Sequence, residues 1–176
     1  MQTPEKLINF RIYSGEAQKS NALLGLADVE LPSLEWMTET ISGAGVAGEV
    51  DSPTIGHFKS MTLKMKWRSL TPSAVDLAKS RAHHFDCRGS IQQFDAGKGT
   101  FANYPVKCVL KGIPKKVGLG KFEPGKPQDN ESEFECIYLL VTIDGKDSIE
   151  IDKYNYIAKV NGDDALQQVR DHLGIK

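Results

Sequence analysis

A glycine-rich segment is the first candidate for chemistry in this sequence. Gly43, Gly45 and Gly48 lie in G-A-G-V-A-G, which matches G-x-G-x-x-G, the motif that holds a dinucleotide at a helix N-terminus. The motif works only if a helix begins at the last glycine and an acidic residue follows about 20 positions later on a second strand. Pro53 lies where that helix would have to form and would break it, and residues 52–70 contain no Asp or Glu. We therefore expect no dinucleotide site, and we expect the glycines to allow a positive φ and close approach of the backbone.

Other residues that could carry chemistry also lack the context they need. Residues 120–126 match the phosphate-binding pattern G-x-x-x-x-G-K, but Pro127 replaces the Ser or Thr that would hold magnesium and prevents the helix behind it. His83 and His84 are adjacent, so their side chains point in different directions, and we expect them to end a helix. Without a C-x-x-C spacing, the cysteines are expected to be buried or half-buried thiols: Cys87, Cys108 and Cys136. The sequence predicts no enzyme activity, metal, cofactor or small-molecule substrate.

The composition is that of one globular domain spanning residues 1–176. Hydrophobic residues make up 40% and charged residues 26% of the chain. The 22 Lys and Arg nearly balance the 23 Asp and Glu, so the net charge of -1 gives no global attraction to nucleic acid. The N-terminus lacks the charged start and apolar run of a signal peptide, so we expect synthesis in the cytoplasm.

Most of the chain has the two-residue period of β-strands. In the clearest segment, apolar residues (Met61, Leu63, Met65 and Trp67) alternate with polar ones (Thr62, Lys64, Lys66 and Arg68). This alternation predicts a strand with one face in the core and one cationic face. Asp144-Gly145 lies between two further alternating segments and predicts a tight hairpin.

Two segments have a helical period instead. Thr71-Pro72 is a helix start, with apolar residues at helical spacing as far as Phe85. A second helix is predicted from Asn161 to Leu173, ended by Gly174. The fold class is therefore mainly β: an antiparallel β-sandwich or partial barrel with one short internal helix and a C-terminal helix. Two long loops, Ser42 to Phe58 and Gly112 to Asn130, are expected to be functional or to be disordered in isolation, because compact domains rarely keep such loops otherwise.

The C-terminal third resembles a known family. Asp144-Gly145-Lys146, Glu150-Ile151-Asp152, Lys159-Val160-Asn161-Gly162 and the segment from Asp164 to Gly174 occur in the order found in the major tail tube proteins of contractile-tailed phages and phage-tail-like bacteriocins (tailocins). G-A-G-V-A-G is similar to the family's R-G-A-G-M-x-G segment. The K-G-x-x-K loop at Lys111 to Lys115 also falls at a matching place.

The resemblance implies a structural protein without catalytic activity. Family members form hexameric rings that stack into a tube inside a contractile sheath, and the inner sheet of each β-sandwich joins its neighbours in a continuous barrel. The implied partners are other copies of the chain, the tail sheath protein, and baseplate and tail terminator proteins. DNA passes through the tube transiently in phages. The implied location is the virion or tailocin particle, assembled in the host bacterial cytoplasm.

Two sets of site residues follow from this resemblance. Candidates for contacts between subunits or rings lie in or directly beside the two long loops: Gly43, Gly45, Val46, Gly48, Val50, Lys111, Lys115, Lys116 and Lys121. Because a bore that passes DNA should not hold phosphate, we expect Glu131, Glu133 and Glu135 to face the lumen. Lys64, Lys66 and Arg68 are expected to face outward or toward a neighbour. The alternative is a stand-alone β-sandwich binding module whose basic strand face or lysine-rich loop meets an acidic partner.

Overall fold

The computed structural model describes residues 1–15 and 21–175, in which strands dominate. The elements in chain order are β1 (Gln2–Ser14), β2 (Asn21–Ala22), β3 (Leu26–Glu30), β4 (Trp36–Gly43), β5 (Val46–Phe58), β6 (Thr62–Trp67), α1 (Pro72–Asp76), β7 (His83–Asp95), β8 (Thr100–Val117), β9 (Asn130–Ile143), β10 (Lys146–Asp152), β11 (Ile157–Val160), β12 (Asp163–Asp164) and α2 (Gln167–Leu173). The mainly β fold with two helices agrees with the class predicted from the sequence.

The main sheet is antiparallel and open, not closed into a barrel. Its strands run in the order β12-β11-β10-β9-β8-β7-β1-β2, and β6 pairs with both β9 and β3. Strands β8 and β9 are long, so the two halves of β9 take different neighbours on one edge: β6 beside residues 130–135 and β10 beside residues 138–143. This arrangement folds the sheet over its own apolar face, as in a β-sandwich.

The core lies where β6 faces the long strands. Met61, Leu63, Met65 and Trp67 have no exposed surface, which confirms the core face predicted from their alternation. They pack with residues of the other strands that are equally buried: Phe85, Leu110 and Phe134. The indole N–H of Trp67 donates to the Ser132 hydroxyl at 3.3 Å, so its polar atom is satisfied inside the core.

The internal helix is shorter than the sequence predicts. Thr71 caps α1 by accepting a hydrogen bond from the Ala74 N–H, as expected, but the helix ends at Asp76. Residues that have helical spacing up to Phe85 are distributed over α1, the turn at residues 77–82 and β7, because Phe85 packs in the core against Phe134, at a ring separation of 4.9 Å. His83 and His84 therefore begin a strand and do not end a helix. The buried His83 ring contacts the Lys79 carbonyl at 3.0 Å.

The C-terminal region is also divided differently from the prediction. Residues 161–166 form the turn into β12 and lead to α2, which begins at Gln167. Gly174 ends the helix with a left-handed φ of 68°, as predicted. The β9–β10 hairpin is confirmed, since Asp144 and Gly145 have φ of 49° and 77°, the combination that a two-residue hairpin turn requires.

The two long loops contain more strand than the sequence indicates. Residues 42–58 complete a two-stranded sheet formed by β4 and β5, so this region is a hairpin and not a loop. Residues 112–117 continue β8, which leaves a shorter loop at residues 118–129.

Candidate assembly surface

The β4–β5 hairpin, residues 36–58, forms a sheet separate from the main one. The eight residues of β4 extend about 26 Å at the rise of a strand. Large apolar side chains along the hairpin are about half exposed or more: Trp36, Met37, Ile41, Val50 and Ile55. Ile41 and Val50 are paired across the two strands, so they form one apolar surface. A two-stranded hairpin is only marginally stable alone, so its exposed apolar surface is a candidate contact surface.

Glycines shape the tip of the hairpin. Gly43 and Val46 are paired, and Ala44-Gly45 makes the two-residue turn between them. Gly43, Gly45 and Gly48 have φ of 118°, 92° and 125°, values that L side chains adopt only with strain. A Cβ built on any of the three meets nothing within 4 Å. Glycine is therefore required at these positions by the positive φ and not by a lack of space, and the space beside them is open.

The hairpin is acidic as well as apolar. Residues 36–58 contain Glu39, Glu49 and Asp51 and no Lys or Arg, so the local net charge is -3 with His57 neutral. Asp51 accepts a hydrogen bond from the Thr40 hydroxyl at 2.7 Å across the hairpin. A surface with this charge disfavours an acidic partner and favours a basic one.

The base of the hairpin is held firmly against the main domain. Gly56 lies so close to Leu166 that a Cβ would sit 2.4 Å from the Leu166 side chain, so only glycine fits there. Lys59 makes an ion pair with Glu35 across the base. The Lys153 ammonium group donates to the Lys59 carbonyl at 3.0 Å, which ties the base to the turn after β10. The hairpin thus projects from a fixed point.

Glu135 connects this base to the long strands. Its carboxylate accepts hydrogen bonds from the Ser60 hydroxyl, the Met61 N–H and the Lys153 ammonium group. Burial alone would raise the pKa of Glu135, but the hydrogen bonds from Ser60 and Lys153 and the Lys153 charge hold it below its ordinary value. The ionised carboxylate therefore stabilises the junction.

The three candidate lumen carboxylates share a face with the lysines expected to point away from them. In the β6–β9 register, Lys66 is opposite Glu131 and Lys64 is opposite Glu133, and directly paired residues of an antiparallel ladder project to the same side. The expected separation of acidic and cationic faces is therefore wrong. Arg68 lies just past the end of β6.

Ion pairs join this face to its neighbours. They involve five lysines (Lys64, Lys66, Lys115, Lys116 and Lys153) and five acids (Asp28, Glu30, Glu131, Glu133 and Glu135), at 3.3–3.9 Å. Five positive and five negative charges give a sum of zero. The strand face thus has mixed charge, and the basic face that the binding-module alternative requires is not present in this network.

The lysines predicted to lie in one loop occupy three settings. Lys111 lies on β8 with its ammonium group 5.5 Å from the Tyr138 ring centre. Lys115 and Lys116 also lie on β8 and pair with acids of β9. Lys121 alone of the four lies in the loop after β8, where it is exposed. The structure therefore brings the candidate glycines and valines together at the hairpin but does not gather these lysines with them.

The cysteines are buried thiols, as predicted. Cys87, Cys108 and Cys136 are free and buried, and burial raises the pKa of each, to about 12 for Cys136. Across residues 1–15 and 21–175, no group of His, Cys, Asp and Glu is arranged to hold a metal ion. No helix in those same ranges is long and apolar enough to cross a membrane.

Sequence reasoning missed the second strand of the hairpin and its exposed apolar residues, Val50 and Ile55. Residues 46–58 contain four β-branched residues that are typical of strands, Val46, Val50, Thr54 and Ile55, and the G-A-G turn before them is a hairpin signal. Pro53 and the glycines obscured it, because both are unusual inside strands.

Among residues 1–15 and 21–175, the acidic and apolar β4–β5 hairpin pairs with no strand of the main sheet. The sequence matches the family model described as phage tail tube protein FII over residues 4–174. It is 32% identical over 154 residues to the tail tube protein of Escherichia phage P2, covering 84% of this chain and 86% of that protein. The chain belongs to the phage tail tube protein FII family. Its role is that of a structural tail tube protein, and its place is the virion or a tail-like particle.

A solved structure shares the fold. It is the sheath/tube terminator of PVC, an extracellular contractile injection system, in the extended state. The TM-score is 0.53 at 11% identity, covering 79% of this chain and 96% of that chain. The family expected from the C-terminal motifs is thus confirmed by sequence, and the terminator adds a likeness of fold.

Proposed function

We propose that this chain forms hexameric rings that stack into the inner tube of a contractile tail, without catalytic activity of its own. The observation that carries the proposal is the β4–β5 hairpin, whose apolar residues are exposed although its base is fixed. In the assembled tube, the hairpin with Gly43, Gly45, Val46, Gly48 and Val50 contacts an adjacent subunit or ring. The partners are further copies of the chain, the sheath protein, and baseplate and tail terminator proteins, assembled in the host bacterial cytoplasm.

The open edges of the main sheet support ring closure. On the side away from β7, strand β1 pairs with β2 only at Tyr13 and Ser14 among the described residues. An unpaired edge is an aggregation hazard, and closing the sheet around a ring removes it. With about four strands from each of about six subunits, spaced roughly 4.8 Å, the circumference would exceed about 115 Å and the tilted barrel would be about 40–50 Å across.

The mixed-charge strand face supports a bore that does not hold DNA. We place Glu131, Glu133 and Glu135 at the lumen, now together with Lys64 and Lys66. Each of these two lysines lies opposite an acid, so the face lacks the unbalanced cations that would release counterions and retain a duplex. A phage would therefore pass its genome through this tube without specific contacts.

Electron microscopy and native mass spectrometry of the purified protein test the assembly. We expect sixfold rings and tubes, and a protein that stays monomeric at high concentration would refute the proposal. Glu133→Cys in assembled tubes tests the lumen. A small maleimide should label it, and a polymer-linked maleimide too large for the bore should not. Equal labelling by both reagents would place this face outside.

A further inference from the structure

An apolar groove lies between β1, β3, β7 and β8. It has a volume of about 410 Å³, and its apolar lining includes Leu7, Phe10, Val29, Leu31, Ile91 and Val106. Leu7 and Leu31 are 51% and 45% exposed, so the groove is open to solvent. Cys87 and Cys108 line it as well. The groove thus combines an apolar binding volume with two nucleophilic side chains that the proposed tube does not use.

The two cysteines are direct partners in the sheet. Cys87 of β7 is paired with Cys108 of β8, and paired residues of an antiparallel ladder project to the same side, with Cβ atoms about 4.5–5.5 Å apart. Their exposed fractions are only 9% and 4%. Burial raises the pKa of both thiols, and for Cys87 the charge of a Cys108 thiolate adds to the rise. Both are therefore protonated thiols, held side by side at the floor of the groove.

The ladder geometry favours a bridging atom over a disulfide. The Leu23 N–H donates to the Ile12 carbonyl at 2.8 Å, so the main-chain polar groups of Ile12 face β2 and not β7. Its partner in β7, Cys87, therefore directs its own N–H and C=O toward Cys108. Such a hydrogen-bonded pair is the more widely spaced type, with Cα atoms about 5.5 Å apart, whereas a disulfide brings the Cβ atoms to about 3.5–4.5 Å. An atom inserted between the two sulfurs spans the wider gap.

The groove has room beside the thiols. Gly89 follows Cys87 by two positions on the same face of β7, and a Cβ built on Gly89 would lie 2.7 Å from the Leu7 Cδ1 atom. Leu7 covers this space, and its half-exposed side chain is free to turn aside. A dry cavity of about 150 Å³ already holds benzene, so the groove holds a phenyl ring. The charged residues that line it, Asp28 and Arg88, are each paired with another side chain, so a neutral substituent fits best.

We propose that Cys87 and Cys108 form a dithiol site for a trivalent arsenical, with arsenic bridging the two sulfurs and an apolar substituent lying in the groove. Thiols are soft ligands and suit such a thiophilic centre. With phenylarsine oxide, two As–S bonds form, both S–H bonds break, and the two protons leave with the oxide oxygen as water. Arsenic and sulfur keep their oxidation states, so the step needs no oxidant. The site is independent of the proposed tube function.

Reaction of the purified, folded, reduced chain with phenylarsine oxide tests the site. Intact-mass spectrometry should show one phenylarsenic group per chain, and peptide mapping should place it on the peptides that contain Cys87 and Cys108. Because the second As–S bond forms within the molecule, the adduct should survive a monothiol at about 1 mM and should be released by a dithiol. An adduct on Cys136, or reaction only after denaturant is added, would overturn the proposal.

Single substitutions distinguish a bridged pair from one reactive thiol. Cys87→Ser and Cys108→Ser each leave one thiol in the groove, so the adduct retained after the monothiol wash should fall about tenfold or more. Cys136→Ser is the matched control, because Cys136 has no exposed surface and lies opposite Gly112 in the ladder. This control should retain the adduct as the wild type does. Retention equal to wild type in either groove variant, with thermal melts showing that it is folded, would refute bridging.

A further pair of variants tests the groove as the path to the thiols. Leu7→Ala should speed adduct formation, because Leu7 covers the space beside Cys87. Val75→Ala, which shortens a similarly exposed apolar side chain on α1, is its control and should leave the rate unchanged. An unchanged rate in Leu7→Ala would refute the placement of the phenyl group in the groove. Failure of the protein to form rings would refute the tube and leave the dithiol site intact.

Discussion

The tip of the β4–β5 hairpin allows a test in which folding and assembly should separate. Gly45 has a φ of 92° and lies in the two-residue turn. Gly45→Val places a β-branched side chain in a left-handed conformation, which costs about 1–2 kcal/mol in strain. A Cβ there meets no atom within 4 Å, so no clash is added. Because a lone hairpin has almost no stability to spare, this strain lowers the ratio of formed to distorted tips roughly 5- to 30-fold.

Gly45→Val should leave the packing of the core unchanged. The hairpin forms its own sheet, and the fully buried residues of β6, such as Leu63 and Met65, lie outside it. We expect thermal unfolding of the Gly45→Val monomer to stay within about 1 °C of wild type, since the strain can be relieved by local opening. Hydrogen exchange of residues 42–50 should become faster, and electron microscopy should show far fewer tubes.

Gly162 offers a matched control. Its φ is 88° and its Cβ position is also open, but it lies in the turn between β11 and β12. Gly162→Val applies the same strain elsewhere and should assemble better than Gly45→Val. Equal loss of tubes in both variants, or normal tubes from Gly45→Val, would refute the role assigned to the hairpin tip.

Further predictions concern the frame that holds the hairpin. Arg170→Ala removes hydrogen bonds of 2.6 Å to the Tyr156 carbonyl and to Asp164, so the seven-residue α2, too short to persist alone, should lose hydrogen-exchange protection without global unfolding. The pKa values of Glu135 and Asp164 are lowered, for Asp164 chiefly by the Arg170 hydrogen bond. The stability that these two carboxylates contribute is therefore complete above the unfolded pKa of about 4 and is lost as pH falls through the lower folded pKa. Thermal melts should show a melting temperature that falls over this pH range. The fall should be smaller in Glu135→Gln. Cys136, with a pKa raised by burial to about 12, should react with a thiol reagent at pH 8 only after denaturant is added, and rapid native reaction would contradict its burial.

Periodicity predicted the elements whose side chains alternate between core and solvent. Met65 and Trp67 were placed correctly because a two-residue period leaves one face for the core. Phe85 fitted a helical period by coincidence of spacing, and the core, where it packs on Phe134, prevailed over that local pattern. The second strand of the hairpin was missed because it buries little, so no apolar period marked it.

The sequence could not predict which charged side chains share a face of the sheet. Glu133 and Lys64 are 69 positions apart, and each alternation alone is compatible with either face of the sheet. Only the antiparallel register of β6 and β9 puts them opposite each other.

The edge of β1, which among residues 1–15 and 21–175 pairs with β2 only at Tyr13 and Ser14, bears on how the proposed ring forms. Register shifts interrupt β1 between Pro4 and Lys6 and between Leu7 and Asn9. A proline and bulges are the features by which natural edge strands avoid indiscriminate pairing. Edge pairing of isolated copies is therefore weak, and productive pairing needs neighbours already aligned by other contacts. In the proposed tube the β4–β5 hairpin supplies that alignment, so growth should proceed from an existing ring and not from free chains.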